Sequence, residues 1–231
     1  MTTQSTAMDA LVAGVSRFQA EIFPRNKDLF DRLAHTQSPK VLFLTCSDSR
    51  IDPNLITQTG PGDLFVCRNI GNIVPPHGAA DRSVATVVEY AVQALGVEHI
   101  IVCGHSGCGA MKGLLNPRAS EGLPLVAEWL RYADAARRIT AALHPEQSAE
   151  DLLRLTTQAN VEAQLAHLRT YPEVAARLAS GKLSLHGWYY DIGSGEVEVC
   201  GQNGGPFTQL KSDPATAAAF SGKSADLGLE A

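Results

Sequence analysis

The sequence has no apolar run approaching the ~20 residues that a membrane-spanning helix needs, and no block of like charge that would read as a solvated tail. Basic residues are not in excess: 19 Lys and Arg stand against 24 Asp and Glu, giving a formal charge of −5. That balance argues against a nucleic-acid surface, which carries a clustered basic excess. No basic segment precedes the first apolar residues, which Asp9 and Arg17 interrupt. A secretory leader is therefore not expected, and the cytoplasm is the expected location. There is no internal repeat. The five cysteines, Cys46, Cys67, Cys103, Cys108 and Cys200, are odd in number and speak against a disulfide framework. Taken singly, each reads as a small buried hydrophobe. What remains is an ordinary soluble composition, 45% apolar and 19% charged over 231 residues, enough for one α/β domain with a real core.

Apolar periodicity predicts the elements. Leu11, Val12, Val15 and Phe18 fall at helical spacing within residues 7–20. Pro24 opens a second helical stretch that Ser38-Pro39 breaks. KVLFLTC (40–46) reads as a buried strand, Leu64 to Arg68 as a second and HIIVC (99–103) as a third. Asp52-Pro53 is a helix start, with Asp as cap and Pro in the first position. Residues 79–95 predict a helix ended by Gly96. Residues 123–143 and 148–180 predict further helices, and Leu183–Ile192 and Val197–Cys200 a terminal strand pair. Strands alternating with helices imply a three-layer α/β domain with a central, mainly parallel sheet and an antiparallel edge strand near the C-terminus. A single domain over 1–205 is expected, with an N-terminal helical arm (7–36) and a C-terminal tail (206–231) rich in Ala, Ser and Gly.

Chemistry concentrates at two strand ends. Cys46 closes the first strand in Cys46-Ser47-Asp48-Ser49-Arg50, and His105 and Cys108 follow the third in Gly104-His105-Ser106-Gly107-Cys108-Gly109. In open α/β sheets ligands gather at the carboxyl ends of strands, so the two segments can meet. Two thiolates and one imidazole suit zinc, and three protein ligands leave a fourth position open, as catalytic sites do. Cys108 opens a helix, whose free N–H groups favour the thiolate form. Asp48 beside the first cysteine would ordinarily bind a metal or lose its charge; Arg50 two positions on can hold it ionised and oriented.

With those segments in place, the sequence resembles the β-class carbonic anhydrases. Pro61-Gly62-Asp63-Leu64-Phe65-Val66, Arg68-Asn69-Ile70-Gly71-Asn72, Glu89-Tyr90-Ala91-Val92 and His186-Gly187-Trp188 extend the match, which spans roughly residues 10–200. It looks closest to bacterial members of the plant-like subclass, including those associated with cyanate metabolism. The resemblance implies one Zn2+ per chain on Cys46, His105 and Cys108, and reversible hydration of CO2 to bicarbonate and a proton by hydroxide generated on zinc. Two thiolates already neutralise the zinc charge, so activity is expected to rise toward alkaline pH. The resemblance also implies that Asp48 accepts a hydrogen bond from the nucleophile while Arg50 pins Asp48. Gln37, Phe65, Ile70, Tyr90 and the backbone N–H of Gly109 are implied to line the substrate pocket. It further implies a homodimer or homotetramer with active sites at the subunit interface, the N-terminal helices packing on a partner subunit, and no nucleic-acid or membrane partner.

Two positions depart from the family pattern. Phe43 stands where members with an inhibitory bicarbonate site carry Trp, so no such site is expected although Arg68, another of its elements, is present. Ala94 stands where plant members place a shuttle His four residues after the tyrosine, leaving proton export to Tyr90, water, buffer or a histidine such as His77 or His35. Two other readings remain open from sequence: a CS2 or COS hydrolase on the same zinc site, and a non-catalytic zinc or redox-sensing module. The second requires neither the Asp48–Arg50 pair nor an apolar pocket.

Overall fold

The structure is a computed structural model that describes residues 6–201 and 204–211. A six-stranded sheet in the order β2-β1-β3-β4-β5-β6 organises it. The strands are β1 (Val41–Cys46), β2 (Leu64–Asn69), β3 (His99–His105), β4 (Ser184–Tyr190), β5 (Val197–Gly201) and β6 (Gly205–Gln209). The pairs β1–β2, β1–β3 and β3–β4 are parallel, while β4–β5 and β5–β6 are antiparallel. β1 and β3 are central and almost wholly buried, which is why they read as continuous apolar runs rather than alternating ones. No helix among the described residues is long and apolar enough to cross a membrane.

The N-terminal arm comprises α1 (Ala7–Arg17), α2 (Phe23–Arg25) and α3 (Lys27–Leu33), joined by a π-helical turn at Phe18–Ile22. Thr6 and Asp9 form a capping box at its start. Phe18, Phe23 and Phe30 cluster with ring centroids 5.2–6.1 Å apart, but Met8, Leu11, Val12 and Val15 lie exposed. α4 (Pro53–Thr57) is capped by Asp52, whose Oδ1 accepts from the N–H groups of Asn54 (3.0 Å) and Leu55 (3.2 Å). α5 (Ser83–Glu89) continues as a π-helical stretch to Leu95 and stops at Gly96, with φ +68°. Its start is four residues later than residue 79, the expected beginning. Asp81 accepts from the Ser83 N–H (3.0 Å) and hydroxyl (2.6 Å), a local turn that competes with helix.

α6 (Gly109–Leu115), α7 (Pro124–Leu130) and α8 (Asp134–Leu143) follow β3, then α9 (Ala149–Leu168) and α10 (Pro172–Ala179). α9 packs directly on β3 and β4 because both present glycine there. A Cβ on Gly104 would come within 2.9 Å of Val161 Cγ2, and one on Gly187 within 2.8 Å of Val161 Cγ1. α9 also buries Thr156, Thr157, Asn160 and Gln164. β6 crosses the expected domain boundary at residue 205 and pairs Val199 with Thr208. Phe207 packs on the core from it. Residues 212–231 of the expected tail lie outside the described residues.

Candidate metal centre and active site

Parallel strands that share one register bring their carboxyl ends together. β1 ends on Cys46 and β3 on His105, and Thr45 pairs with Cys103 between them. Cys108 follows as the N-cap of α6, reached through Gly107 at φ +66°, a left-handed conformation that favours glycine. The ligand-capable atoms of Cys46, His105 and Cys108 lie within 4.8 Å of one another, and all three residues are buried.

The donor chemistry fits zinc. His105 Nδ1 is 3.0 Å from the Ser106 carbonyl, which can only accept, so the proton sits on Nδ1 and the Nε2 lone pair is free. That buried Nε2 has no hydrogen-bond partner among the described residues, an orphan that a metal would satisfy. The two thiols titrate as a pair. Cys108 hydrogen-bonds to Cys46 and lowers its pKa; His105 and the N–H groups of Gly71 and Asp48 lower it further, against burial. The same shared proton, with burial, pushes Cys108 up, so the second deprotonation waits for a cation. Cys103, on the same strand, is a different case: burial alone drives it to about 12, as expected of an inert core thiol. All five cysteines are free.

Asp48 and Arg50 form the fork anticipated from sequence. Arg50 Nε donates to Asp48 Oδ1 (2.9 Å) and Nη2 to Oδ2 (2.7 Å), while the Arg50 N–H also reaches Oδ1 at 3.0 Å. The guanidinium holds the Asp48 carboxyl well below the usual carboxylate range. Arg50 Nη2 lies 3.4 Å from the Gly107 carbonyl, tying the two ligand loops together. Arg68 has a local role that the sequence did not assign: Nε donates to the Cys46 carbonyl (3.2 Å) and Nη2 to that of Asp48 (2.7 Å).

Of the residues expected to line the pocket, only some are brought into contact with one another among the described residues. Phe65 and Tyr90 face each other with centroids 5.9 Å apart. Ile70 and Tyr90 are about half exposed (45% and 49%), as is unusual for apolar side chains beside a site. Gly109 is exposed at the start of α6, with nothing within 4 Å of an added Cβ. Gln37 lies exposed in the coil before β1 and is not brought to the three ligand residues by any hydrogen bond among the described residues. Sequence reasoning missed Trp129, Asn160 and Gln164, whose polar atoms hold the Ile70–Val74 loop. Polar residues at helical spacing read as a solvent face, so periodicity carries no signal of their burial.

The described geometry recurs in known proteins. A family model described as carbonic anhydrase matches residues 41–197. The chain belongs to the carbonic anhydrase family. The carbonic anhydrase of Pseudomonas aeruginosa is 47% identical over 207 residues, covering 90% of this chain and 94% of that protein. That of Synechococcus elongatus is 49% identical over 191 residues, covering 82% of this chain and 70% of that protein. The solved structure of the β-carbonic anhydrase CcaA superposes with a TM-score of 0.86 at 47% identity, over 89% of this chain and 92% of that one. One of two tetrameric β-carbonic anhydrases from Sordaria macrospora superposes at 0.68 with 35% identity, over 84% and 94% of the two chains. The chain is thus a β-class carbonate dehydratase, a lyase whose cofactor is zinc, in keeping with the Cys46, His105 and Cys108 cluster.

Proposed function

We propose that the chain interconverts CO2 and bicarbonate at the cluster of Cys46, His105 and Cys108, with Asp48 and Arg50 orienting the reaction. The observation that carries this division of labour is the orphaned, buried His105 Nε2 beside two thiols, with Asp48 Oδ2 only 3.9 Å away. Cys46 Sγ, His105 Nε2 and Cys108 Sγ would hold the zinc. When bound, zinc would supply Lewis acidity that makes hydroxide available from water at a pH well below that at which bulk water ionises, and less readily than a dicationic centre because two thiolates offset its charge. Every other task falls to the protein. An ionised Asp48 accepts a hydrogen bond and cannot donate one, so it orients the nucleophile's proton toward itself and a lone pair toward the substrate carbon. The bidentate Arg50 fork keeps Asp48 charged and fixes its direction. Phe65, Ile70 and Tyr90 offer the apolar wall that uncharged CO2 needs, and the Gly109 N–H and the Gln37 amide are donors for a substrate oxygen.

Gln37 and the half-exposed Ile70 and Tyr90 are best accounted for if the pocket closes only when two subunits meet. The exposed apolar face of α1 (Leu11 64%, Val15 56%) supports a homodimer or homotetramer in which this arm covers a neighbour. We place the enzyme in the cytoplasm. The experiment is stopped-flow CO2 hydration from mildly acidic to alkaline pH on protein of assayed zinc content. Fast hydration that rises with pH, at about one zinc per chain, is the expected result. No hydration at alkaline pH with zinc fully loaded would shift the assignment to a CS2 or COS hydrolase or a non-catalytic module.

A further inference from the structure

A backbone N–H of the loop after β2 reaches the Cys46 sulfur, and two side chains distant in sequence hold the two peptides that flank Gly71. The Gly71 N–H donates to Cys46 Sγ at 3.4 Å. The carbonyl of the same peptide unit, that of Ile70, accepts from Trp129 Nε1 at 2.8 Å. The next carbonyl, that of Gly71, accepts from Asn160 Nδ2 at 3.0 Å. Asn160 is itself held by Gln164 Nε2 at 2.8 Å, and Gln164 Oε1 accepts from the Val74 N–H at 2.8 Å. Asn160 and Gln164 are completely buried. Burying two carboxamides on α9 costs desolvation that leucine would not incur, a cost that their hydrogen bonds to the Gly71–Val74 backbone offset.

The local backbone has no slack. Gly71 sits at φ +80°, and a Cβ there would lie 2.9 Å from the Ala110 Cβ on α6. The loop is therefore pressed against the helix that Cys108 opens. Within that constraint, an indole N–H bonded to one end of an amide polarises the N–H at its other end, because hydrogen bonds in series strengthen one another.

We propose that Trp129 and Asn160 are positioning residues for the Cys46 thiolate: together they aim and polarise the Gly71 N–H, and so set the donor strength of this sulfur toward its metal. The inference rests on the reading of Cys46 as a metal ligand. The Trp129→Ile70 carbonyl bond acts on direction and charge, and the Asn160→Gly71 carbonyl bond keeps the loop from rotating away. A hydrogen bond to sulfur lowers the energy of its lone pair. Losing that bond should make the thiolate easier to oxidise by charge transfer and less well fixed as a ligand.

The test uses full-length protein loaded with Co2+ in place of zinc, comparing the unmodified chain with Trp129→Phe and Asn160→Leu. The expected result is a sulfur-to-cobalt absorption band that moves to lower energy in both variants, with metal affinity against a competing chelator falling about 10–100-fold. A purely structural role would lower the unfolding midpoint while leaving band position and affinity in place, and that result overturns the inference. Trp129→Phe removes one N–H from a partly exposed ring, so it decides the matter if Asn160→Leu does not fold. No sulfur-to-cobalt band in the unmodified protein would instead overturn the ligand assignment, and the inference with it.

Discussion

Asp48 Oδ2 stands 3.9 Å from His105 Nε2, beside the ring nitrogen that faces the two thiols yet too far away to hydrogen-bond it. Arg50 takes up the carboxylate instead, with Nη2 on Oδ2 at 2.7 Å and Nε on Oδ1 at 2.9 Å. Under the proposed mechanism, this fork would leave Asp48 to accept a hydrogen bond rather than to bind the metal. Replacing Asp48 by Asn preserves shape and removes the charge and one acceptor oxygen. Zinc content should stay near one per chain while CO2 hydration falls by roughly 10²-fold or more, read by metal analysis and stopped-flow on the same sample. Retained activity would remove Asp48 from the mechanism.

The close approach of α9 to the sheet makes a packing prediction. A Cβ at position 187 would meet Val161 Cγ1 at 2.8 Å, Leu165 Cδ1 at 3.0 Å and Cys200 Cβ at 3.1 Å. Gly187→Ala should therefore destabilise by about 1–3 kcal/mol, the range for overpacked cores. Val161→Ala in the same chain removes the tightest of these contacts. The double variant should lose less than the sum of the two single losses, because the sites share one volume. Denaturant midpoints of the four proteins measure the coupling, and strict additivity would contradict the contact.

Metal removal should be felt in the fold as well as in the activity. Without a cation, two buried thiols and an unpartnered His105 Nε2 remain at one point. A site filled at 100 times its dissociation constant contributes about 2.7 kcal/mol. Chelation followed by thermal unfolding should lower the midpoint, and added Zn2+ should restore it in a concentration-dependent way. A midpoint indifferent to both treatments would mean that the cluster does not bind metal in the folded state.

A pH prediction lies away from the site. Asp134 has its pKa lowered, first by the bond to Arg138 (Nε–Oδ2 2.5 Å) and then by Arg137 (Nη2–Oδ1 2.6 Å). A carboxylate with a depressed folded pKa contributes stability that is present above its unfolded value of about 3.9 and is lost as pH falls through the folded value. The triad is partly solvated, so the contribution should stay below about 1 kcal/mol. Relative to Asp134→Asn, the natural chain should hold a constant small advantage at neutral pH that disappears in acid. An advantage that grows on acidification would have the wrong sign for this linkage.

The parallel core and the ligand cluster were legible because few residue types serve them. Val41 to Cys46 and His99 to Cys103 are continuous apolar runs, and two Cys with one His at strand ends suit very little besides a metal. β6 was not legible, since Phe207 is its one strong apolar residue amid Gly, Pro, Thr and Gln. The delayed start of α5 turned on the Asp81 side chain, which periodicity does not weigh. Arg68 was visible by its identity, but its two carbonyl contacts depend on the register that sets Thr45 beside Arg68 and Cys46 beside Asn69. The carboxamides of α9 were hidden most completely, because burial of a polar residue is decided by partners about ninety positions away.

That distance has a consequence for how little of the chain could work alone. All three cluster residues fall between positions 46 and 108, and a fragment ending after α6 would contain every one of them. Yet the loop that presents the Gly71 N–H to Cys46 is anchored to α9, and α9 packs closely on the sheet at the glycines of β3 and β4. The shortest stretch that carries the chemistry's side chains is therefore far shorter than the shortest stretch able to hold them still. Shortening the chain from its C-terminal side should abolish the site as soon as the cut enters α9 or β4, long before it touches a ligand.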